Sequence, residues 1–360
     1  MSSLPSTDLL ALLAEAVRFG ASDLHLAADT PPLMRLNGEI LPLDETPLTA
    51  EQCSELLFSV LTQNQRARLE EAWELDFALQ VETIGRFRGN AHYTRGAVGA
   101  AFRLIPAQIP ELGALGHRAS LFGIAEFQRG LVLVTGITGS GKSTTLASIV
   151  QHISRRRRGV IITIEDPIEY VLSNDLCLVR QREIGHDTKT FAEALRHALR
   201  QDPDVILVGE MRDPETISAA ITAAETGHLV LATLHTIDAP KAIDRIVDAF
   251  PGGQQPQIIA QLANSLEAVV SQRLILRADN GGRVLASETL IANTAVRACI
   301  RERRWEQLVG LIEIGSKDGM NTLEESLASL VKTGQITPEQ AEAEARDPDV
   351  LRSFLVPRHR

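Results

Sequence analysis

The octet Gly136-Ile137-Thr138-Gly139-Ser140-Gly141-Lys142-Ser143 lies between an apolar run, Leu131–Thr135, and a helix-competent stretch, Thr144–Ile153. It satisfies the pattern GxxxxGK[ST] in the strand–loop–helix setting that gives the pattern its meaning. Glycines let the backbone curl until successive N–H groups point inward. The helix that follows presents its positive end to the same point. Such a loop is built for polyphosphate. The backbone of residues 136–141, with Thr144 at the helix start, cradles the anion. Lys142 sets a point charge against the β- and γ-phosphates, and the Ser143 hydroxyl is a ligand for Mg2+. The expected ligands are therefore ATP and Mg2+, on an α/β core.

The rest of the chain agrees with that core. From Gly130 onward, short and continuously apolar runs alternate with helical stretches: Leu131–Val134, Val160–Ile164, Val205–Val208 and Leu229–Ala232. Strands that are apolar on both faces imply a parallel sheet covered by helices on each side. Gln272–Leu276 and Val284–Ile291 flank Asp279-Asn280-Gly281-Gly282 and read as a later hairpin. Residues 293–360 read as a helical C-terminal region.

Residues 1–105 have another character. Asp8 is a candidate N-cap for a helix ending near Gly20, and Thr49 with Gln52 forms a candidate capping box opening a helix to about Leu61. A further helix is expected over Gln63–Ala72. Strands are expected at 23–27, 33–36, 40–43, 74–80, 85–93 and 97–105, with Asn37-Gly38 as a hairpin turn. This predicts a smaller α+β domain with an antiparallel sheet. Residues 106–120 read as a linker, and 121–292 as the ATPase core.

Carboxylates should stand near the phosphate loop. Asp204-Val-Ile-Leu-Val-Gly-Glu210 is an apolar strand running into an acid, where Glu210 can hold Mg2+ through water or polarise the attacking water. Ile161-Ile-Thr-Ile-Glu165-Asp166-Pro167-Ile-Glu169 is a second strand that Pro167 should end. It offers Glu165, Asp166 and Glu169 as candidate bases. His228 and His235 bracket a strand seven residues apart, a spacing that puts them on opposite faces. His235, nearer the carboxyl end, is the candidate sensor of the terminal phosphate or of a neighbouring subunit.

Arg86, Arg88, Arg95 and Arg103 fall in expected strands of the first domain, Arg86 and Arg88 on one face. They are either a solvated face or fingers reaching a neighbour's nucleotide. Arg155–Arg158 reads as a solvated helix end. The net charge of −10 argues against a nucleic-acid surface, and thus against a nucleic-acid translocase. Three distant cysteines, Cys53, Cys177 and Cys299, form no metal knuckle and read as reduced thiols. No apolar run reaches the length of a membrane span.

Taken in order, the phosphate loop, IEDPIE, DPDVILVGEMRD and TGHLVLATLHT resemble the PilT-type retraction ATPases of the secretion ATPase superfamily. ASDLHL and GRFRGNAHYTRGAVGAAFRLIP are similar to that family's N-terminal domain, and GMNTLEESLASLVKTGQIT to its C-terminal helices. The resemblance spans nearly the whole chain. It implies a PAS-like N-terminal domain, a RecA-like core and a homohexamer with ATP at domain and subunit boundaries. It implies Glu165 in water activation, Glu210 as the Walker-B acid, and His228 and His235 in a histidine box. Arg86, Arg88 and Arg103 become candidate nucleotide contacts or arginine fingers. The implied work is pilus retraction and twitching motility, in the cytoplasm, peripheral to the inner membrane through a platform protein, with a paralogous retraction ATPase as a further partner.

Two features shade the comparison. Three cysteines cannot form the four-cysteine metal module of assembly and type II secretion relatives, which favours retraction. The family's AIRNLIR stretch reads here Ala295-Val-Arg297-Ala-Cys-Ile300-Arg301. That departure keeps open an accessory role resembling PilU, or service in a related type II/IV secretion system.

Overall fold

The computed structural model describes residues 8–36, 38–105, 108–279 and 281–356. Asn37 and Asn280 of the two expected turns, and residues 106–107 of the expected linker, lie outside these. The chain divides into two compact units, residues 1–108 with 167–170, and residues 109–166 with 171–360.

The first unit comprises helix α1 (Leu9–Arg18), strands β1 (Asp23–Leu26), β2 (Leu33–Leu36) and β3 (Glu39–Pro42), helices α2 (Ala50–Val60) and α3 (Gln63–Ala72), and strands β4 (Glu74–Val81), β5 (Gly85–Thr94) and β6 (Ala97–Ile105). Local chemistry sets the helix starts. Asp8 accepts from the backbone N–H of Leu10, and Thr49 and Gln52 close the expected capping box. Thr62 and Gln65 close a second one. The strands form an antiparallel sheet in the order β3-β2-β1-β6-β5-β4. Leu9, Leu13, Leu57 and Leu69 from the helices pack with Leu24, Phe87 and Phe102 from the sheet. Phe77 and Phe102 meet edge to face, their centroids 6.0 Å apart.

The second unit opens with α4 (Ser120–Ala125), β7 (Gly130–Thr135), α5 (Lys142–Ser154), β8 (Gly159–Glu165) and β9 (Cys177–Glu183). It continues with α6 (Phe191–Ala198), β10 (Val205–Val208), α7 (Pro214–Glu225), β11 (Leu229–Leu234), α8 (Ala239–Asp248) and α9 (Gln255–Ser265). Strands β12 (Leu266–Leu276) and β13 (Arg283–Ile291) complete the sheet, and α10 (Thr294–Arg301), α11 (Gln307–Ile314), α12 (Leu323–Lys332), α13 (Pro338–Glu344) and α14 (Pro348–Leu355) follow. The sheet order is β13-β12-β7-β11-β10-β8-β9, with every pairing parallel except β12 with β13. One face carries α4 and α5 through Leu121, Ile124, Leu146, Ile149 and Ile153. The other carries α6 to α9 through Leu195, Ile217, Ile221, Ile243 and Leu262. Burial on both sides is why every residue of β7, β10 and β11 is buried and why these strands read as unbroken apolar runs. Helices α12 and α14 pack on the β12–β13 hairpin through Leu323, Leu327 and Leu351.

Three expectations are corrected. Residues 106–120 are not a free linker throughout, because from Ile109 the chain belongs to the second unit. Leu112 is buried there, and the Ser148 hydroxyl donates to the carbonyl of Pro110. Strand β12 starts at Leu266, six residues before its expected start, since the apolar periodicity of α9 runs into it without punctuation. Strand β9 escaped the sequence reading altogether. It is the sheet's edge, so LVRQRE alternates with polar residues instead of running apolar.

Candidate active site

Because β7, β11, β10 and β8 run parallel, their carboxyl ends share one edge of the sheet. The phosphate loop follows β7, His235 follows β11, Glu210 stands two residues past β10, and Glu165 ends β8. Neighbouring strands lie about 4.8 Å apart, so this order spreads the four groups over roughly 15 Å.

The loop has the shape that its glycines demand. Gly136, Gly139 and Gly141 all have positive φ, and Gly141 opens α5 from the left-handed region. A Cβ on Gly136 would fall 2.4 Å from the Gln272 carbonyl oxygen and 2.5 Å from Ser140 Oγ. Lys142 is 9 % exposed, and its ammonium donates to the carbonyls of Gly136 at 2.8 Å and Ile137 at 3.1 Å. From β12, the Gln272 amide donates to the Ser140 carbonyl at 2.7 Å, tying the loop to the neighbouring strand. The Ser140 hydroxyl is buried and finds no hydrogen-bond partner among the described residues. An inward-curled loop, a buried ammonium, an unsatisfied hydroxyl and the start of a thirteen-residue helix suit a phosphate group. Ser143 and Thr144 lie in the first turn of α5, directly after the lysine.

Glu210 is held by two side chains. Arg212 Nε lies 2.6 Å and His235 Nε2 3.1 Å from its Oε1. Burial pushes this carboxyl up, but the Arg212 hydrogen bond and the nearby His235 outweigh that and hold it below the ordinary glutamate value. Gly209 makes the approach to β8 possible, donating to the Ile164 carbonyl at 2.8 Å. A Cβ at that glycine would stand 3.3 Å from Glu165 Cα. Glu165 Oε1 accepts from the Thr163 hydroxyl at 2.6 Å and from the Gln181 amide at 3.1 Å.

Glu165, Glu210 and His235 thus share an edge with Lys142 and Ser143. His228 does not. It stands at the opposite, amino end of β11, where its carbonyl accepts from Gly130 and its Nδ1 lies 2.9 Å from the Ala223 carbonyl at the close of α7. Six strand residues, about 20 Å, part it from the loop of its own chain. Strand direction thus separates two histidines that look alike in sequence. Glu169 groups with the first unit, so Glu165 and Asp166 remain at the second unit's edge. Arg212 went unnoticed in the sequence, although it stands two residues beyond Glu210, within reach of that carboxylate.

Arg86, Arg88 and Arg103 belong to the first unit's sheet. Arg88 pairs across the strands with Arg103, and Arg103 Nε donates to Asp23 Oδ1 at 2.8 Å. Arg86 Nε donates to the Ile168 carbonyl at 2.9 Å. The Arg155–Arg158 run caps the end of α5 with local partners, Glu111 and Asp175 for Arg155 and the Phe127 carbonyl for Arg157.

Fold and loop together define the class: an α/β protein with a phosphate loop at the carboxyl edge of a largely parallel sheet. The chain belongs to the type II/IV secretion system protein family, whose model matches residues 102–342. It is 46% identical over 342 residues to the type IV pilus retraction ATPase PilT of Pseudomonas aeruginosa, covering 95% of this chain and 99% of that one. It is 41% identical over 344 residues to the type IV pilus ATPase PilU of the same organism, covering 96% and 90%. A crystal structure of the pilus retraction motor PilT with bound ADP superposes with a TM-score of 0.89 at 47% identity, over 96% of this chain and 99% of that one. Among the described residues, no helix is long and apolar enough to cross a membrane.

Proposed function

We propose that this chain is the Mg2+-dependent ATPase motor of type IV pilus retraction, working as a homohexamer. The observation that carries the reading is the alignment of Lys142, His235, Glu210 and Glu165 along one sheet edge, in a chain similar over nearly its full length to a retraction ATPase. The backbone of residues 136–141, with Thr144, binds the phosphates, and Lys142 neutralises the terminal ones. Ser143 and Glu210 would hold Mg2+, which would supply charge compensation for the phosphates. Glu165 takes the proton of the attacking water as its oxygen bonds to the terminal phosphorus and the bond to the ADP oxygen breaks. His235, paired with Glu210, reports the state of the terminal phosphate to that acid. Arg86, Arg88 and Arg103 complete the site of an adjacent subunit as arginine fingers. A platform protein at the inner membrane receives the motion.

The test is retraction and twitching in a deletion strain complemented with wild type or Lys142→Ala. Rescue by wild type alone supports the motor. Rescue by both shows that nucleotide chemistry is dispensable and moves the chain to an accessory role, a second reading favoured by Ala298-Cys299 and by the 41% identity to PilU. Rescue by neither, with the wild type expressed and folded, moves it to another secretion system.

A further inference from the structure

Glu165 sits in a hydrogen-bonded setting that its strand pair builds. Strands β8 and β9 are parallel, with Thr163 in register with Gln181 and Glu165 with Glu183. Residues two apart on a strand share a face, so Thr163 and Glu165 point the same way, and Gln181 reaches across from the edge strand. Thr163 is fully buried. A carboxylate can only accept, so the 2.6 Å contact makes the Thr163 hydroxyl a donor to Glu165 Oε1. The orientation of the Gln181 amide follows from its other end. The Leu172 backbone N–H donates to Gln181 Oε1 at 2.8 Å, which leaves the amide nitrogen to face Glu165 Oε1 at 3.1 Å.

We propose that Thr163 and Gln181 are positioning residues that hold the Glu165 carboxylate in the orientation from which it accepts the proton of the attacking water. The proposal rests on Glu165 as the base. Two donors from two strands anchor one carboxylate oxygen, Oε1, and the Leu172 N–H fixes one of those donors in turn. A base turned away from its water loses its advantage while nucleotide binding stays whole.

The experiment is steady-state ATPase on the full-length assembled protein, with nucleotide affinity and Tm measured alongside. Thr163→Val and Gln181→Met keep size and remove a donor. Each is expected to lower kcat about tenfold with KM within twofold of wild type. Thr163→Ser, which keeps the hydroxyl, is expected to recover most of the loss. In a Glu165→Gln background, where kcat is already down at least about a hundredfold, neither change is expected to lower it further, since both act through Glu165. Wild-type kcat in both single variants, or a further equal drop in the Glu165→Gln background, would overturn the proposal while leaving Glu165 as base. Full turnover by Glu165→Gln would overturn the base assignment and the proposal with it. If Thr163→Val fails to fold, Gln181→Met at the half-exposed edge strand decides alone.

Discussion

His235 Nε2 lies 3.1 Å from Glu210 Oε1, and the Arg212 guanidinium reaches the same oxygen at 2.6 Å. The acid that follows β10 is thereby tied to the residue that follows β11. Arg212 is 76% exposed, so its side chain reaches Glu210 from the solvent side.

Glu210→Gln removes the charge and keeps the shape. The variant is expected to bind nucleotide normally and to hydrolyse it about a hundredfold to a thousandfold more slowly. Steady-state turnover and a fluorescent-nucleotide titration check this, and normal turnover would remove Glu210 from the chemistry. The linkage has a definite sign. The Glu210 value is depressed in the fold, so its pairing stabilises the protein above the ordinary glutamate range and is lost as acid protonates the carboxylate.

Gly136→Ala tests the loop. Its φ of 145° excludes an ordinary L side chain, and its Cβ would collide with the Gln272 carbonyl and Ser140 Oγ. Relieving the clash requires opening the loop, at a strain of about 1–3 kcal/mol. The expected outcome is a lower Tm together with loss of nucleotide-dependent stabilisation. A variant that still gains Tm from added ATP would show the loop to be more tolerant than its geometry allows.

His117 packs beside the phosphate-loop helix, its Nε2 3.3 Å from Thr145 Oγ1, and burial lowers its imidazole to about 4. The unfolded chain therefore binds a proton below about pH 6.5 that the fold refuses. Stability should fall between pH 6.5 and 4, by up to about 3 kcal/mol from this residue. Denaturant midpoints at pH 7.5 and 5.0 should converge in His117→Gln relative to wild type. An unchanged pH dependence would assign the loss to His25 and His152, which burial also lowers.

Arg346 joins the C-terminal helices to the sheet. Its Nη2 lies 2.9 Å from Glu288 Oε2 and 3.8 Å from Glu324 Oε2, both carboxylates almost inaccessible. Arg346→Met strands two buried charges and is expected to cost about 3–5 kcal/mol. Adding Glu288→Gln to that variant should restore part of the loss. Chemical denaturation reads both effects, and a wild-type midpoint for Arg346→Met would mean the pair contributes nothing.

What was legible in the chain was local. The curl at 136–143 is dictated by its own glycines, the helix starts at Thr49 and Asp8 by side chains reaching their own backbone, and β7, β10 and β11 by unbroken apolar runs. These depend on residues within a few positions of one another, so their physics is written in order along the chain. The order β7-β11-β10-β8 is not. It arises from how helices of both faces bury the sheet, and it alone brought Glu165, Glu210 and His235 to Lys142's edge. The same parallel arrangement sent His228 to the far end. It also set Gln181, from a strand too polar to recognise, against Glu165. Contacts between residues sixteen (Glu165 and Gln181) to 132 positions apart (Ser140 and Gln272) depend on the closure of the whole core, and only the tertiary structure decides them.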